Sequence, residues 1–173
     1  MKFDKNQLAK ICRQYGPFVK GLDASFDAPT LLWAISGCET SFGQNCVPRH
    51  EPEYCTQRAW HKQADGTFER RPGRYSMQNS AYIERERQWG CWAHSSYGPW
   101  QIMFSNAPGY APDELYMDLE KAAEATVGFL SRRIAEVQPD TLYKIAELWN
   151  GAGMNPQYAI DLLDYYQAGL PPE

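Results

Sequence analysis

The chain has 173 residues, of which 43% are hydrophobic and 22% are charged, and its formal net charge is -4. That length suits one domain with a core of its own, and no apolar stretch approaches the ~20 residues that span a bilayer. The acidic balance argues against a nucleic-acid partner, because binding to phosphates needs a basic surface. We therefore expect a soluble single domain over residues 1–173, monomeric and without a transmembrane segment.

Two helices are predicted in the first quarter of the chain. Asp4 can cap the first, which runs from about residue 4 to 20 with apolar side chains at three-to-four spacing. Asp27 can cap the second, which ends between residues 41 and 43, where a glycine follows.

Residues 44–94 differ in texture from the rest of the chain. They contain three prolines, three glycines and three histidines, many charges and no sustained apolar period. We predict an irregular insertion within the domain. It holds a small β-hairpin around Asp65-Gly66 and a short polar helix over residues 78–89.

The remaining third of the chain is predicted to be helical after a compact aromatic and glycine segment at residues 97–108. Asp118 can cap a long helix, a second helix is expected over residues 139–149, and Asn155-Pro156 opens a last one that Gly169 closes. The fold class is therefore mainly α, or α+β at most.

Five cysteines are many for a protein of a reducing compartment, and an odd number leaves at least one unpaired. Cys46 and Cys55 could close a short loop, and Cys38 and Cys91 are a second candidate pair. No export signal is visible, so the connectivity and the compartment both stay open.

Glu39 is the most informative residue of the sequence. It ends an apolar helical stretch, in Cys38-Glu-Thr-Ser-Phe-Gly43. Burial disfavours an ionised carboxylate, and the partial negative charge of a helix C-terminus acts in the same direction. A carboxyl group that keeps its proton near neutral pH is a candidate general acid.

Two later segments share this arrangement of a polar group beside small residues at the end of an apolar stretch: Ser96-Tyr-Gly-Pro-Trp-Gln-Ile-Met103 and Ala146-Glu-Leu-Trp-Asn-Gly-Ala-Gly153. The order and wording of the three segments resemble the lytic transglycosylases of the soluble type (SLT domain) and their relatives, the goose-type lysozymes. In those families a Glu-Ser motif closes the catalytic helix, a Gly-Leu-Met-Gln motif lines the floor of the cleft, and an Ala-Tyr-Asn-x-Gly motif supplies a wall. The likeness covers about residues 27–44 and 95–165.

Carried over to this chain, the resemblance makes Glu39 the catalytic acid, with Thr40 where serine is usual. The segment from Gly98 to Gln101 matches Gly-Leu-Met-Gln, with Pro and Trp replacing Leu and Met, and Met103 lies just beyond it. Leu148-Trp-Asn150 matches Ala-Tyr-Asn, with Trp149 replacing tyrosine, and Tyr158 matches the tyrosine of the last helix. The segment at 44–94 is longer than these families usually have there.

The resemblance implies a lysozyme-like fold and a muramidase or lytic transglycosylase activity that degrades the cell wall. Such an enzyme cleaves peptidoglycan glycan strands at the β-1,4 bond between N-acetylmuramic acid and N-acetylglucosamine, without a cofactor. One glutamate acts first as acid and then as base, and attack by the sugar's 6-hydroxyl gives an anhydro product. The action would be at a cell wall, in the periplasm, after secretion or on delivery by a phage.

Several side chains are candidates for binding the glycan. Aromatic rings offer flat apolar faces to sugar rings, and side-chain amides both donate to and accept from acetamido groups. The candidate binding residues are Tyr97, Trp100, Gln101, Met103, Trp149, Asn150 and Tyr158. Core packing of the aromatic rings and hydrogen bonding of the amides to turn backbone are the competing interpretations.

A hydrolytic enzyme that inverts would need a second carboxylate roughly 6.5 to 9.5 Å from the first. Glu51 is the first choice, because it follows the catalytic helix after a short loop. Cys91-Trp-Ala-His94 has ligand-like spacing, but zinc sites normally show two tight pairs, so we predict no metal. The alternatives are a chitinase-type or chitosanase-type hydrolase, and a non-catalytic glycan-binding or structural module of a cell-wall or virion assembly.

Overall fold

A computed structural model describes residues 1–55, 59–71, 80–151 and 154–172 of the chain. These residues form a mainly helical fold with a small antiparallel sheet, which confirms the predicted fold class. The helices are α1 (Lys5–Tyr15), α2 (Ala28–Thr40), α3 (Ser80–Trp89), α4 (Pro112–Met117), α5 (Leu119–Val137), α6 (Leu142–Asn150) and α7 (Pro156–Ala168). The strands are β1 (Arg49–His50), β2 (Ala59–Lys62), β3 (Phe68–Arg71), β4 (Ser95–Tyr97) and β5 (Ile102–Met103).

Helix α2 lies at the centre of the main core and packs against α1 and α7. Leu31, Leu32, Ala34 and Ile35 are completely buried, so most of the helix surface is covered by protein. A helix that is apolar all round belongs inside a protein. The apolar sequence of α2 therefore explains why its last turn, which carries Glu39, lies in the interior.

A three-stranded antiparallel sheet in the order β1-β4-β5 lies beside the helices. Arg49 pairs with Ser96, and Ser96 on its other side pairs with Met103. These strands have two or three residues each, too few to show a period in the sequence. The sheet was therefore not predicted from the sequence. The short helix α4 was not predicted either.

The segment at 44–94 is more regular than predicted. Its described residues contain β1, the hairpin of β2 and β3, α3 and two 3-10 turns. The hairpin was expected and is confirmed, with Ala59 opposite Arg71 and Lys62 opposite Phe68. Residues 78 and 79 of the predicted polar helix lie outside the described residues, and the helix itself begins at Ser80.

Two helix boundaries differ from the prediction. The first helix ends at Tyr15 rather than near residue 20, because Pro17 follows and cannot continue the hydrogen-bonded ladder. The helix expected from residue 139 begins at Leu142, where the Thr141 side chain accepts from the backbone N–H of Lys144. The predicted caps Asp4, Asp27 and Asp118 are confirmed, each accepting backbone N–H groups.

Cys12, Cys38, Cys46 and Cys55 form no disulfide bond. The disulfide bond that the sequence allows between Cys46 and Cys55 is therefore not formed. The thiol of Cys46 donates to Gly43 O, and that of Cys55 lies 3.3 Å from Nε2 of His50. The side chain of Cys91, the other member of the second candidate pair, lies outside the described part of the chain. Among the described helices, none combines the length and the apolar character needed to cross a bilayer.

Candidate active site

The carboxyl group of Glu39 lies in the last turn of α2 and is held by side chains from three other elements. Its side chain is only 8% exposed. Tyr158, from α7, donates its hydroxyl to Oε1 at 2.9 Å, and the indole Nε1 of Trp149, from α6, donates to the same oxygen at 3.0 Å. Two donors occupy Oε1, so Oε2 is the oxygen left to carry the proton of the acid form.

Arg49 faces the second carboxyl oxygen. Its Nη1 lies 3.8 Å from Oε2 of Glu39, and its side chain is 56% exposed. That separation is an ion-pair distance rather than a hydrogen bond. The guanidinium thus lies at the solvent side of the site, and Glu39 lies at its bottom.

Burial raises the pKa of Glu39 above its ordinary value of 4.5, and this is the largest effect on the group. The Tyr158 hydrogen bond, the charge of Arg49 and the Trp149 hydrogen bond lower the pKa, and the charge of Glu51 raises it. The net shift is upward. The proton is favoured by burial, while two hydrogen-bond donors and the charge of Arg49 stabilise the carboxylate after the proton has left.

Two titratable neighbours of Glu39, Tyr158 and Cys38, stay neutral. Burial and the nearby Glu39 raise the pKa of Tyr158, so this phenol remains a donor. Burial, Glu39 and Asp161 raise the pKa of Cys38 to about 12, so its thiol does not ionise at physiological pH. A thiolate nucleophile at this position is therefore disfavoured.

Thr40 connects the helix end to the segment that resembles the cleft floor. Thr40 is 2% exposed, and its hydroxyl donates to Pro99 O at 2.7 Å, lies 3.1 Å from Ser36 O, and accepts from the N–H of Gly43 at 3.0 Å. The turn from Gly98 to Gln101 is thereby fixed next to the residue that follows Glu39. A Cβ at Gly98 would lie 2.9 Å from Leu115 O, and its φ of +72° favours glycine.

Left-handed backbone is concentrated at this junction. Ser41, Phe42 and Gln101 have φ of 52°, 59° and 47°. Non-glycine residues with such angles are uncommon and cost about 1 kcal/mol or more each. The strained positions adjoin the two segments that Thr40 joins.

Gln101 is buried and uses its amide within its own turn. Ser96 donates to Oε1 at 3.1 Å, and Nε2 donates to Gly98 O at 3.0 Å. The structure thus shows the amide of Gln101 stabilising its turn, which is the alternative to glycan binding. Any contact with an acetamido group would use the remaining proton and lone pair of this amide.

Tyr97 and Trp100 belong to the cores, which corrects the expectation that they stack on sugars. Tyr97 is 1% exposed and donates to Trp92 O at 2.7 Å, and Trp100 is completely buried and donates to Leu32 O at 2.8 Å. Stacking needs an open ring face. Trp100 packs in the main core, and Tyr97 packs in a second core and also borders a cavity of about 670 Å³.

The other candidate residues lie nearer to solvent. Met103 is half-buried on β5, and Asn150 is exposed at the end of α6. Trp149 is half-buried and packs edge-to-face on Phe129, with ring centroids 5.5 Å apart. Glu51 is half-buried and close enough to act on the charge of Glu39.

Arg49 is the site residue that sequence reasoning missed. It reaches Glu39 because β1 pairs with β4, which places Arg49 opposite Ser96. A two-residue strand leaves no periodic signal in the sequence. The available hint was a lone arginine shortly after α2, and that pattern is common on solvated loops.

A cavity of about 670 Å³ lies apart from Glu39, which does not line it. Its walls include Pro48, Trp89, Trp92 and Tyr116. Successive side chains of a strand point to opposite faces. Arg49 faces Glu39, so His50 points to the other side of β1, where it lines a smaller hollow together with Pro48 and Trp92.

His94 is a possible metal ligand by its spacing in Cys91-Trp-Ala-His94. Its Nε2 lies 2.7 Å from Oε2 of Glu86, and both side chains are buried. Within the part of the chain that the structure describes, no group of three His, Cys, Asp or Glu side chains is arranged to hold a metal ion.

Comparison with protein-family models, with curated proteins and with solved structures gives no match to this chain. The resemblance to the soluble lytic transglycosylases and goose-type lysozymes, and with it the lysozyme-like character of the fold, stays a prediction from the three motifs.

Proposed function

We propose that this protein is a glycosidase that cleaves peptidoglycan at the β-1,4 bond between N-acetylmuramic acid and N-acetylglucosamine, with Glu39 as general acid and then base. The observation that carries the proposal is a buried carboxyl group whose pKa is raised and whose anion has two hydrogen-bond donors and a guanidinium charge beside it. General acid catalysis needs a proton held near the operating pH. The later base step needs a stabilised carboxylate.

In the first step, Oε2 of Glu39 gives its proton to the bridging oxygen while the bond from that oxygen to the sugar C1 breaks. Positive charge develops on the sugar ring, and Glu39 becomes a carboxylate. Tyr158 and Trp149 stabilise this anion through Oε1, and Arg49 does so through its charge near Oε2.

In the second step, the group that attacks C1 gives up a proton, to the Glu39 carboxylate where the 6-hydroxyl attacks and to Glu51 where water attacks with Glu51 as base. If the attacking group is the sugar's own 6-hydroxyl, the product is an anhydro sugar; if it is water, the product is hydrolysed. Glu51 is the candidate base for the second route. The products distinguish the two routes by mass, since the anhydro sugar is lighter by one water.

The test of function is the clearing of a suspension of purified peptidoglycan. Wild type should clear it, and Glu39→Gln should lose activity by at least ~100-fold, as expected for removal of a general acid. Glu147→Gln is the matched control, because Glu147 is exposed on α6 and has no part in the site. A glycan-binding or structural module would clear nothing in any form, and that result would refute the proposal.

Glu51→Gln separates the two mechanisms. If water is the nucleophile and Glu51 is its base, this variant loses activity and wild type gives hydrolysed ends. If the 6-hydroxyl attacks, wild type gives anhydro ends and the variant keeps most of its activity.

A further inference from the structure

Arg49 and Glu39 form an unequal pair. The guanidinium is more than half exposed, whereas the carboxyl group is almost fully covered. The backbone of Arg49 is fixed by its pairing with Ser96, whose hydroxyl also lies 3.5 Å from Arg49 O. The cation is therefore anchored at its base, with its charged end at the solvent side of the site.

The proposed acid chemistry changes the partner of Arg49. A general acid is neutral before it acts, so a protonated Glu39 no longer balances the guanidinium charge. Among the described residues, Glu39 has the one carboxylate at ion-pair distance from Arg49. In the state that is competent for proton transfer, the guanidinium is thus available to another anion.

Resting on the proposed function, we propose that Arg49 binds a carboxylate of the substrate next to the bond to be cleaved, and that this contact selects glycans that contain muramic acid. A muramyl residue carries a lactyl ether, whose carboxyl group is free in peptide-free strands. In intact strands the nearest carboxylates belong to the stem peptide. Chitin oligomers are neutral and glucosamine oligomers are cationic, so neither provides this anion.

The choice of arginine fits a carboxylate ligand. Its planar fork can make two parallel hydrogen bonds to one carboxylate, which a lysine ammonium cannot do. Nη1 already faces Glu39 from 3.8 Å. The exposed part of the fork is the part that a substrate would meet first.

Binding of an anion at Arg49 would also favour the acid form of Glu39. The charge of Arg49 lowers the pKa of Glu39, together with Tyr158 and Trp149, whereas burial and Glu51 raise it. An anion that offsets part of the Arg49 charge weakens one of the lowering effects. The same contact that selects the substrate would therefore help to keep the proton on Oε2.

The test compares wild type, Arg49→Gln and Arg49→Lys on peptide-free muramyl glycan strands, intact strands and chitin oligomers. Arg49→Gln should raise KM for the muramyl strands by about tenfold or more, and leave KM for chitin oligomers nearly unchanged. Arg49→Lys should fall between the two. Arg87→Gln is the matched control, because Arg87 is an exposed arginine of α3 that pairs with Glu84.

The pH profile supplies a second measurement. Without the Arg49 charge, the pKa of Glu39 rises, so the alkaline limb of kcat/KM should move to higher pH in Arg49→Gln. A purely structural loss would lower activity at all pH values alike. An equal rise of KM for muramyl and chitin substrates, or an unchanged profile, would overturn the proposal, whereas kcat is expected to fall on both because the charge near Oε2 is lost.

A binding measurement keeps this inference separate from the proposed function. Glutamine at position 39 resembles the protonated acid, so the Glu39→Gln variant can be titrated with peptide-free muramyl oligomers and with chitin oligomers without turnover. Tighter binding of the muramyl oligomers that disappears in Glu39→Gln/Arg49→Gln supports a carboxylate site even if wild type cleaves nothing. Equal affinities for the two oligomers, or no binding of either, would reject it. Preference for intact over peptide-free strands would assign the anion to the stem peptide.

Discussion

The balance of forces on one carboxyl group is the centre of this account. Burial pushes Glu39 toward the protonated form, and Tyr158, Trp149 and Arg49 pull it toward the ionised form. A group with both influences can give and retake a proton in one catalytic cycle. The sequence indicated the burial through the apolar helix. It indicated Tyr158 and Trp149 as glycan-binding residues, but it did not show that both donate to Glu39, from which they are more than one hundred residues away.

Tyr158→Phe removes one donor from Oε1 and nothing else from the ring. The pKa of Glu39 should rise further, because that hydrogen bond lowers it. The alkaline limb of kcat/KM should move to higher pH, and kcat should fall by on the order of tenfold as the anion loses a charge-assisted hydrogen bond. Tyr143→Phe, at an exposed tyrosine of α6, is the control. An unmoved pH profile would show that the hydroxyl does not act on Glu39.

Glu39→Gln should be more stable than wild type near pH 7, by on the order of 1 kcal/mol, as is common where function requires a buried charge. The folded-state pKa of Glu39 is raised, so its contribution to stability is fully present below its ordinary value of 4.5 and is lost as pH rises through the folded pKa. The advantage of the variant should therefore shrink on acidification. Denaturant titrations near pH 7 and at about pH 4 would measure it, and an advantage independent of pH would contradict the burial argument.

At the scale of elements, the site depends on how α2 ends. The helix stops at Thr40, and Ser41 takes the left-handed conformation that ends many helices. Thr40 then joins this end to the turn from Gly98 to Gln101. A side chain beside the acid thus fixes the segment that resembles the cleft floor.

Thr40→Val keeps the shape of this side chain but removes its hydroxyl. Pro99 O and the N–H of Gly43 would lose their partner in a buried place, which costs about 1–3 kcal/mol for such groups. Thr40→Ser, which keeps the hydroxyl, should lose much less. Unfolding in denaturant would compare them, and equal stability of the valine and serine variants would remove this role from the hydroxyl.

The elements that the sequence predicts are the long helices that begin with a capping residue. Helices α2, α5 and α7 show apolar periods and the caps Asp27, Asp118 and Asn155, all of which the structure confirms. The short strands β1 and β4 could not be read, because their pairing joins residues 47 positions apart, as in Arg49 and Ser96. The sequence therefore predicts the site residues on the helices, and it does not predict Arg49 on the sheet.

At the scale of the whole molecule, the site requires that two hydrophobic cores keep a fixed position relative to each other. The main core surrounds α2, and a second one around Tyr97, Phe104 and Leu115 supports the sheet. Buried His94 and Glu86 join α3 to the residue before β4, and His94 O accepts from the N–H of Glu51. This contact ties α3 to the strands that present Arg49.

Glu86→Ala should destabilise the protein by about 2–4 kcal/mol, because it leaves a buried imidazole without its carboxylate. Glu84→Ala on the same helix is the control, since Glu84 is exposed and its loss should cost less than about 0.5 kcal/mol. Thermal unfolding would measure both. Similar melting temperatures for the two variants would mean that the buried pair does not hold α3 to the sheet.

The most direct test of the central claim is mass spectrometry of purified peptidoglycan digested with wild type and with Glu39→Gln. The account predicts fragments from wild type with new ends at the bond between N-acetylmuramic acid and N-acetylglucosamine, and none above background from the variant. The same fragments from both proteins would contradict the role of Glu39, and their absence from the wild-type digest would contradict the proposed activity.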